Sequence, residues 1–483
     1  MRPSERSAFV IVKSFFEKLQ QRVFAPVDIA SLVFFRVAFG SLMAFEVCRY
    51  FKNGWVYSHW LEPRILFKYY GFSWVDPWPG NWLYIHWTAL GVFGLFVAAG
   101  FLYRISAPLM FLSYAYFFLL EEVWYVNHTY LICLFCFLMV FVPAHRAFSI
   151  DVWLRPSIRS STAPAWSLWL LRFQIGVVYF FAGLVKISPD WLRGEPMRYQ
   201  LSHSLDTPIL GRFFGQEAAV YIVSYGGLLL DLSIVPLLLW RRTRLFAFCV
   251  AVVFHLTNAL WQPIGIFPWL AIAATALFFP PDWPRQILRV FGFARSTSKA
   301  AATDSRMSRA AHRRIVLAGL AIYAAIQIFL PLRYLLWRGG VEWTWAEHRF
   351  SWRMFLVTHS SVAHFYVTDP NSGASTAIDL ADFLTPRQAP NMGYLPDLPL
   401  QFAHYLATVM PRFGPKPLKV QARIYVSING RKPVLYLDPI VDLAAQERPI
   451  GRPKWLLRND EPLPPLEKRY NEDTMGAFFS GKQ

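Results

Sequence analysis

Charged residues are scarce in this sequence. Only 16% of its 483 residues are Asp, Glu, Lys or Arg, whereas 55% are hydrophobic and 18% are aromatic. Because soluble domains contain about 25% charged residues, this composition excludes an ordinary soluble enzyme and predicts a polytopic membrane protein. The formal net charge of +18 would favour a nucleic-acid partner in a soluble protein, but the cytoplasmic loops of membrane proteins gather basic residues for a separate reason. We therefore expect a lipid bilayer as partner and no nucleic acid.

Cysteines and metal-binding spacings are also few. The four cysteines, Cys48, Cys133, Cys136 and Cys249, lie in hydrophobic stretches, and none follows residue 249. A disulfide framework for an exported domain is therefore excluded. The histidines are scattered, without the spacing of a zinc site, and no nucleotide-binding or nucleophile-elbow motif is present. We expect no metal in the site.

Long apolar runs fill the first two thirds of the chain. Runs of about 17 to 25 residues are long enough to cross a bilayer. Nine are predicted, near 28–50, 82–102, 105–121, 128–145, 166–186, 219–240, 245–261, 264–280 and 313–336. The amphipathic residues before them predict an interfacial helix. The expected parts are an interfacial helix at 1–27, a transmembrane catalytic domain at 28–336 and an extracytoplasmic domain at 337–483.

Basic residues are distributed unevenly between the loops. With a cytoplasmic N-terminus, the inner loops contain most of them, including the cluster at 241–244 and the segment 285–314, while the outer loop 121–127 is acidic. The positive-inside rule therefore predicts a cytoplasmic N-terminus. An odd number of spans then places the C-terminal part outside, toward the periplasm or exterior of a bacterium or the lumen of the endoplasmic reticulum.

The C-terminal part loses the long apolar runs and alternates with a period of two. In VQARIYVSINGRKPVLYLDP, two alternating stretches flank Asn429-Gly430, a pair typical of hairpin turns in which both central residues take positive φ. VAHFYVTDPNSGASTAIDL indicates a second hairpin. The predicted fold class is a polytopic all-α transmembrane bundle of about nine helices, followed by a small antiparallel β-rich extracytoplasmic domain.

Three polar sets fall at the ends of predicted spans. Asn127 and His128 open the fourth span, Lys186 ends the fifth, and His255 and Asn258 lie near the end of the seventh. Under the predicted orientation, all three sets lie in the outer half of the membrane. A terminal lysine alone is usually an anchor to the headgroups. Ionisable residues at one depth instead favour a shared functional site.

Other charges inside the spans are interpreted as structural ion pairs. Arg36, Glu46 and Arg49 lie in the first span and Asp231 in the sixth. Glu46 is close enough along a helix to pair with Arg49 or Tyr50.

Several segments carry a resemblance to one enzyme family. The stretch YFFAGLVKISPDWLRGEPM around Lys186 resembles the segment that bears the catalytic lysine of vitamin K-dependent γ-glutamyl carboxylases. Further segments match in the same order: LYRIS at 102–106, FLLEEVWYVNHTYL at 118–131, YGGLLLDLS at 225–233, FHLTNALWQPIGIFPW at 254–269, PDWPRQIL at 281–288, IFLPLRYLL at 328–336 and IYVSINGRKPVLYLDPIVDL at 424–443. Together these segments cover most of the chain. The chain is identified as a bacterial-type member of this family, one that contains an HTTM domain.

The resemblance implies a coupled reaction. Enzymes of this family oxidise vitamin K hydroquinone with O2 to the epoxide, and the alkoxide formed on the way removes a γ-proton from peptidyl glutamate, which then captures CO2. Lys186 aligns with the lysine proposed to deprotonate the hydroquinone. His128, preceded by Asn127, aligns with a histidine needed for the coupled chemistry, and His255 lies in a matched segment.

The residue types agree with these roles. Burial at a membrane boundary disfavours a charged ammonium group, and a neutral amine at Lys186 can accept a phenolic proton. Asn127, Asn258 and Tyr130 supply neutral donors to orient the quinol. The lipid-soluble quinol would arrive from the bilayer and a glutamate-containing peptide or protein from the outer aqueous side.

Two departures from the animal enzymes leave alternatives open. Those enzymes join their domains by a disulfide, which this sequence cannot form, and they have a lysine where Val185 stands. One alternative is a quinol epoxidase without carboxylation. Another is a non-catalytic binding or transport protein, in which Lys186 pairs with an acidic neighbour such as Asp190 and stays charged. A quinol electron-transfer protein is disfavoured because heme or iron-sulfur ligand spacing is absent.

Overall fold

The computed structural model describes residues 17–292, 310–336, 341–345, 348–411, 415–449, 451–459 and 461–465. Most of the predicted interfacial helix, residues 1–16, lies outside this set. Residues 17–23 are helical, whereas the end of the predicted segment, Pro26–Asp28, forms strand β1.

Apolar helices form a bundle in the first two thirds of the chain. In chain order they are α1 Ala30–Lys52, α2 Trp82–Ala99, α3 Tyr103–Leu120, α4 Asn127–Phe141, α5 Ala165–Val185, α6 Glu217–Leu239, α7 Arg244–Trp261, α8 Phe267–Thr275 and α9 Ala310–Leu332. All except α4 and α8 are long and apolar enough to cross a membrane. Shorter helices lie between them at Trp55–Trp60, Ile150–Leu154, Pro189–Leu192, Glu195–Ser202, Gly211–Phe214 and Trp283–Val290, and another, Val341–Thr344, follows α9. The protein is therefore an integral membrane protein with seven candidate spans in the described residues.

Helices α4 and α8 are shorter than predicted. Helix α4 has 15 residues, a rise of about 22 Å, which is less than the roughly 30 Å of the hydrocarbon core. It ends just before Pro143, which has no N–H to continue the helix. The predicted run 264–280 begins as a turn, in which Gly265 takes a φ of 61°, before α8 starts at Phe267.

Close approach of α5 and α6 depends on one glycine. A Cβ added at Gly183 would lie 2.8 Å from side-chain atoms of Leu232 and 3.0 Å from its backbone nitrogen. Small residues at such contacts let membrane helices pack closely. The contact brings the end of α5, at Lys186, beside Asp231 on α6.

A small sheet joins the starts of two helices. Strand β1 pairs antiparallel with β2, Thr162–Pro164, with Val27 opposite Ala163. These strands precede α1 and α5. Each strand has only three residues, one of which is a proline, so the sequence contained no strand signal for them.

The C-terminal part contains the predicted antiparallel sheet. Its strands are β3 His359–Thr368, β4 Ser375–Ile378, β5 Lys419–Ile428 and β6 Val434–Leu435, in the order β4-β3-β5-β6. Both predicted hairpins are confirmed: β3 pairs with β4, and β5 pairs with β6. At the turn after β5, Asn429 and Gly430 have φ values of 51° and 74°.

One helix covers this sheet. Helix α10, Asp397–Val409, was not predicted as a separate element. Alternate residues of β5, among them Ala422 and Ile424, are buried in one core with Phe402 and Leu406 of α10. The domain is therefore a helix packed on a four-stranded sheet within the described residues.

Polar contacts dock the C-terminal domain on the helix bundle. The backbone N–H of Lys68 donates to the side chain of Gln401 at 2.8 Å, and the Gln401 amide donates back to the Lys68 carbonyl at 3.1 Å. The Asn127 amide donates to the carbonyl of Arg353 at 2.8 Å. The domain thus sits where α4 begins and α5 ends.

Candidate active site

Lys186 lies where α5 ends. Ser188 caps the next short helix and Pro189 occupies its first turn, so the chain changes direction after Val185. The lysine side chain folds back along α5, and its Nζ donates to the carbonyl of Ala182 at 3.1 Å. The amine therefore lies beside the last turn of α5 and does not extend past the end of the helix, as an anchor to the headgroups would.

An ion pair holds the Lys186 amine. Its Nζ donates to Oδ2 of Asp231 at 2.6 Å, and both side chains are buried. The ring of Trp191 lies 5.2 Å from Nζ, within the range of a cation–π contact. Asp231, interpreted from the sequence as a member of a structural ion pair with no partner named, is thus the partner of the predicted base.

Asp190 has different partners from the one suggested by sequence. Arg431 donates to both its carboxylate oxygens, at 2.7 and 3.0 Å, and Asn429 donates to Oδ2 at 2.8 Å. Burial alone would raise the pKa of Asp190, but these hydrogen bonds bring it below the usual value. The non-catalytic alternative paired Lys186 with an acidic neighbour such as Asp190. The acidic partner is Asp231 instead, and Asp190 joins the β5–β6 turn to the segment after Lys186.

The other intramembrane charges had mixed outcomes. The predicted pair of Glu46 and Arg49 is confirmed, with Arg49 donating at 2.6 and 2.8 Å. The interpretation of Arg36 as an ion-pair member is wrong, because its guanidinium donates to backbone carbonyls of the turn 144–148. The carbonyl oxygens of this turn follow the end of α4 and have no partners within a helix, so they need donors from elsewhere, which Arg36 supplies.

The two predicted histidines both lie close to one phenylalanine. The ring centroid of Phe267 is 6.2 Å from that of His128 and 5.6 Å from that of His255. His255 is 1% exposed, and its Nε2 lies 2.6 Å from the hydroxyl of Tyr179. Three helices, α4, α5 and α7, thus bring imidazole and phenol groups together around α8.

Asn127 serves both the site and the domain contact. Its amide donates to Arg353 of the C-terminal domain, as described above, and its Oδ1 accepts from the hydroxyl of Tyr125 at 3.3 Å. Part of its hydrogen-bonding capacity is therefore already used within the protein.

One cavity connects these groups. It has a volume of ≈ 440 Å³. Five of the six predicted site residues line it: Asn127, His128, Lys186, His255 and Asn258. Most other lining residues from the helices are apolar, such as Ile175, Val178 and Phe254.

Tyr130 is the predicted site residue that does not line this cavity. Its hydroxyl accepts from Gln327 of α9 at 3.4 Å, and its ring packs against Phe350 and Trp352. Tyr130 therefore contributes to packing between α4, α9 and the segment that leads into the C-terminal domain.

The C-terminal domain supplies a basic wall of the cavity. Arg349, Arg353 and Arg387 all line it. Arg349 is paired with Glu122, while Arg387 is exposed beside the ring of Trp124. Burial lowers the pKa of His348, in the same wall, to about 3, so this imidazole is neutral at physiological pH.

Sequence reasoning missed three parts of the site. Tyr179 lies seven residues before Lys186, two helical turns away on the same face of α5, and this spacing was an available signal. Asp231 was noticed but its partner was not, because pairing between separate helices depends on their packing. The cavity wall formed by Trp345 and by residues within 348–357 and 387–395 belongs to the C-terminal domain, and no sequence motif indicated it.

Within the described ranges, no group of three or more His, Cys, Asp or Glu side chains is arranged to hold a metal ion. The polar groups of the cavity include instead a lysine amine, two carboxyl groups, imidazoles, amides, three phenols and guanidinium groups. Such a set can accept a proton, orient a neutral oxygen ligand and attract a carboxylate.

Comparison with known families gives two matches that together span most of the chain. The HTTM domain matches residues 24–283, which is more than half of the sequence. The lumenal domain of vitamin K-dependent gamma-carboxylase matches residues 312–461, which include most of α9 and the sheet. No solved structure matches the chain.

Proposed function

The chain belongs to the vitamin K-dependent gamma-carboxylase family, and from this premise we propose that it oxidises vitamin K hydroquinone with O2 to the epoxide and carboxylates peptidyl glutamate with CO2. The observation that carries the proposal is the buried Lys186–Asp231 pair at the edge of a largely apolar cavity. The cavity lies between the membrane helices and the C-terminal domain, where a lipid-soluble and a water-soluble substrate can meet.

The size and lining of the cavity fit a quinol ring. Small-molecule pockets are commonly about 300–1,000 Å³, mostly apolar, with a few polar groups that fix orientation. The cavity of ≈ 440 Å³ is in this range. The hydroquinone supplies the reducing equivalents for O2, and the protein supplies binding, orientation and proton transfer.

The base in this proposal is the Lys186–Asp231 pair. The Nζ of Lys186 donates to the Asp231 carboxylate at 2.6 Å, so the lysine expected from the sequence as the base has a directly bonded carboxylate beside it. A coupled pair can take up one proton as a unit. Proton uptake from the quinol leaves a net positive charge on the pair, beside the negative quinolate that it stabilises.

Two further features support the glutamate half of the reaction. The wall formed by the C-terminal domain has three arginines, of which Arg387 is exposed, and guanidinium groups bind carboxylates well. The imidazoles of His128 and His255 lie close to the same cavity. We assign His128 and Asn127 to the coupled chemistry and His255 and Asn258 to quinol binding.

The orientation in the membrane is part of the proposal. The basic loops favour a cytoplasmic N-terminus, and the C-terminal domain then lies outside the cytoplasm. A cysteine introduced at Ser372, in the β3–β4 turn, should react with a membrane-impermeant maleimide in intact cells or sealed vesicles of known orientation. A cysteine at Arg242 should react only after the membrane is opened, and the reverse pattern would contradict the orientation.

The catalytic proposal is tested with purified, reconstituted protein, vitamin K hydroquinone, O2 and labelled bicarbonate, with and without a glutamate peptide. Lys186→Ala should abolish both the epoxide and the label in the peptide, because the pair can no longer take up the quinol proton. Lys52→Ala, which changes an exposed lysine at the end of α1, is the matched control and should retain both activities.

The other outcomes separate the alternatives. Epoxide without label would favour a quinol epoxidase. A wild-type protein that forms neither product would favour a binding or transport protein, for which the fully paired state of Lys186 is the supporting observation. Full activity of Lys186→Ala would rule out the pair as the base.

A further inference from the structure

Tyr179 and His255 form a buried pair in the wall of the cavity. The Tyr179 hydroxyl lies 2.6 Å from Nε2 of His255. The two side chains are only 4% and 1% exposed, and both line the cavity. The other ring nitrogen of His255, Nδ1, is buried without a hydrogen-bond partner among the described residues. An unpartnered polar atom of this kind points to a ligand.

The chemistry of the two groups indicates the direction of the hydrogen bond. The hydroxyl of Thr275 donates to the backbone carbonyl of Ala271 and also lies within hydrogen-bonding reach of the Tyr179 hydroxyl. A phenol is a better proton donor than a neutral imidazole N–H, and an imidazole nitrogen is a better acceptor than a phenol oxygen. Tyr179 therefore donates to Nε2, and the single ring proton of His255 lies on Nδ1.

We propose that Tyr179 is a positioning residue, which holds His255 in the Nδ1–H tautomer so that Nδ1 donates a hydrogen bond to a quinol oxygen. This inference rests on the proposed quinol chemistry and adds a second polar contact to it. A neutral donor can bind either a quinol or a quinolate oxygen without supplying a charge that would compete with the Lys186–Asp231 pair.

The positions of the two polar groups suit a ring with two oxygens. Tyr179 and Lys186 lie two turns apart on one face of α5, and the lysine amine folds back toward Ala182, between them. The ring of Phe267 packs edge-on against His255 at 5.6 Å, which fixes the plane of the imidazole. One oxygen of the quinol would then meet the ion pair and the other would meet His255.

The tautomer is measured directly by nitrogen NMR. Protein labelled with ¹⁵N in its histidine rings is compared with His255→Asn, and the difference spectrum isolates the signals of His255. We expect a protonated Nδ1 and an unprotonated Nε2 in the wild-type protein, and a shift toward protonated Nε2 in Tyr179→Phe. A protonated Nε2 in the wild-type protein would overturn the inference, whatever the enzyme activity.

Binding of vitamin K quinone, which is not turned over, provides the second measurement. Tyr179→Phe should weaken binding about tenfold, the usual effect of one hydrogen bond. The matched control is Tyr103→Phe, which removes another buried hydroxyl, bonded to the Met139 carbonyl, away from the cavity; it should bind as tightly as the wild type.

A double variant tests the pathway through His255. The amide nitrogen of an asparagine occupies the position of histidine Nδ1, so His255→Asn should keep the donor without needing Tyr179. Tyr179→Phe should then cost nothing when added to His255→Asn. An equal loss in both backgrounds would show that Tyr179 acts independently of His255. Absence of turnover with the expected binding results would contradict the proposed catalysis but leave this inference intact.

Discussion

At the scale of single residues, the partner of Lys186 determines what the lysine can do. The sequence placed Lys186, His128 and His255 at one depth, and the structure brings them to one cavity. The pairing of Glu46 with Arg49 could be predicted because both lie on one helix turn. The pairing of Lys186 with Asp231 could not, because these residues are 45 positions apart and meet only through the contact of α5 with α6 at Gly183.

A first prediction concerns Asp231. Asp231→Asn should destabilise the protein by about 3–5 kcal/mol, because it leaves a buried ammonium without its counter-charge. It should also abolish epoxide formation. The double variant Lys186→Met, Asp231→Leu replaces the pair by apolar side chains and should recover most of the lost stability but no activity. Thermal unfolding in detergent and chromatography of the epoxide measure the two effects.

This comparison separates a structural pair from a catalytic one. If the pair were only structural, the apolar double variant would keep its turnover as well as its stability. If Asp231→Asn turned over the quinol as fast as the wild-type protein, Asp231 would not be part of the base, and Lys186 alone would take up the proton.

At the scale of elements, the β5–β6 hairpin has two functions. Its existence could be predicted from Asn429-Gly430, since the turn requires positive φ at both residues. Its contact with Asp190 could not, because no local pattern indicates which surface a turn meets. The hairpin holds the short helix Pro189–Leu192, and Trp191 of that helix donates to the Ser224 carbonyl of α6 at 3.0 Å. The C-terminal domain thereby fixes the chain just after Lys186.

A second prediction follows for Arg431. Arg431→Ala should lower stability by about 3 kcal/mol, because the buried carboxylate of Asp190 loses its charged partner. Turnover of the quinol should fall as the segment after Lys186 loosens. Arg423→Ala, on the exposed face of β5, is the matched control and should change neither the unfolding midpoint nor the turnover. Normal turnover in Arg431→Ala would show that the hairpin does not position Lys186.

At the scale of the whole molecule, composition predicted the two-part architecture but not the docking of its parts. Seven of the nine predicted spans are long apolar helices, because hydrophobic length is sufficient evidence for such elements. Helices α4 and α8 are shorter, since proline and glycine positions limit them. The docking contacts, such as Lys68 with Gln401, involve ordinary loop residues whose pairing depends on the complete fold.

Glu121 makes one of these docking contacts, and its contribution to stability depends on pH. Its carboxylate accepts from the backbone of Phe67 and Val123 at 3.1 Å, and from Gln388 of the C-terminal domain at 3.4 Å. Burial raises the pKa of Glu121 from 4.5 to about 8, although these hydrogen bonds oppose the shift. The folded protein therefore binds a proton here more tightly than the unfolded chain does.

A third prediction is a loss of stability with rising pH. Between about pH 4.5 and 8 the unfolded chain has released this proton and the folded protein still holds it, so the contribution of Glu121 decreases by up to about 1.4 kcal/mol per pH unit. Above pH 8 the contribution is constant. Glu121→Gln cannot ionise and should lack this slope. Thermal unfolding of both proteins across the range is the measurement, and parallel slopes would contradict the assignment.

The connection between the two domains has a practical consequence for redox conditions. Because no cysteine follows residue 249, the described contacts between the domains are hydrogen bonds, ion pairs and packing. A dithiol reductant, used to keep a quinol reduced during an assay, therefore has no covalent bond to cut between them. The protein can also join its two parts without an oxidising folding pathway, so its assembly is independent of the thiol–disulfide balance of the compartment in which it folds.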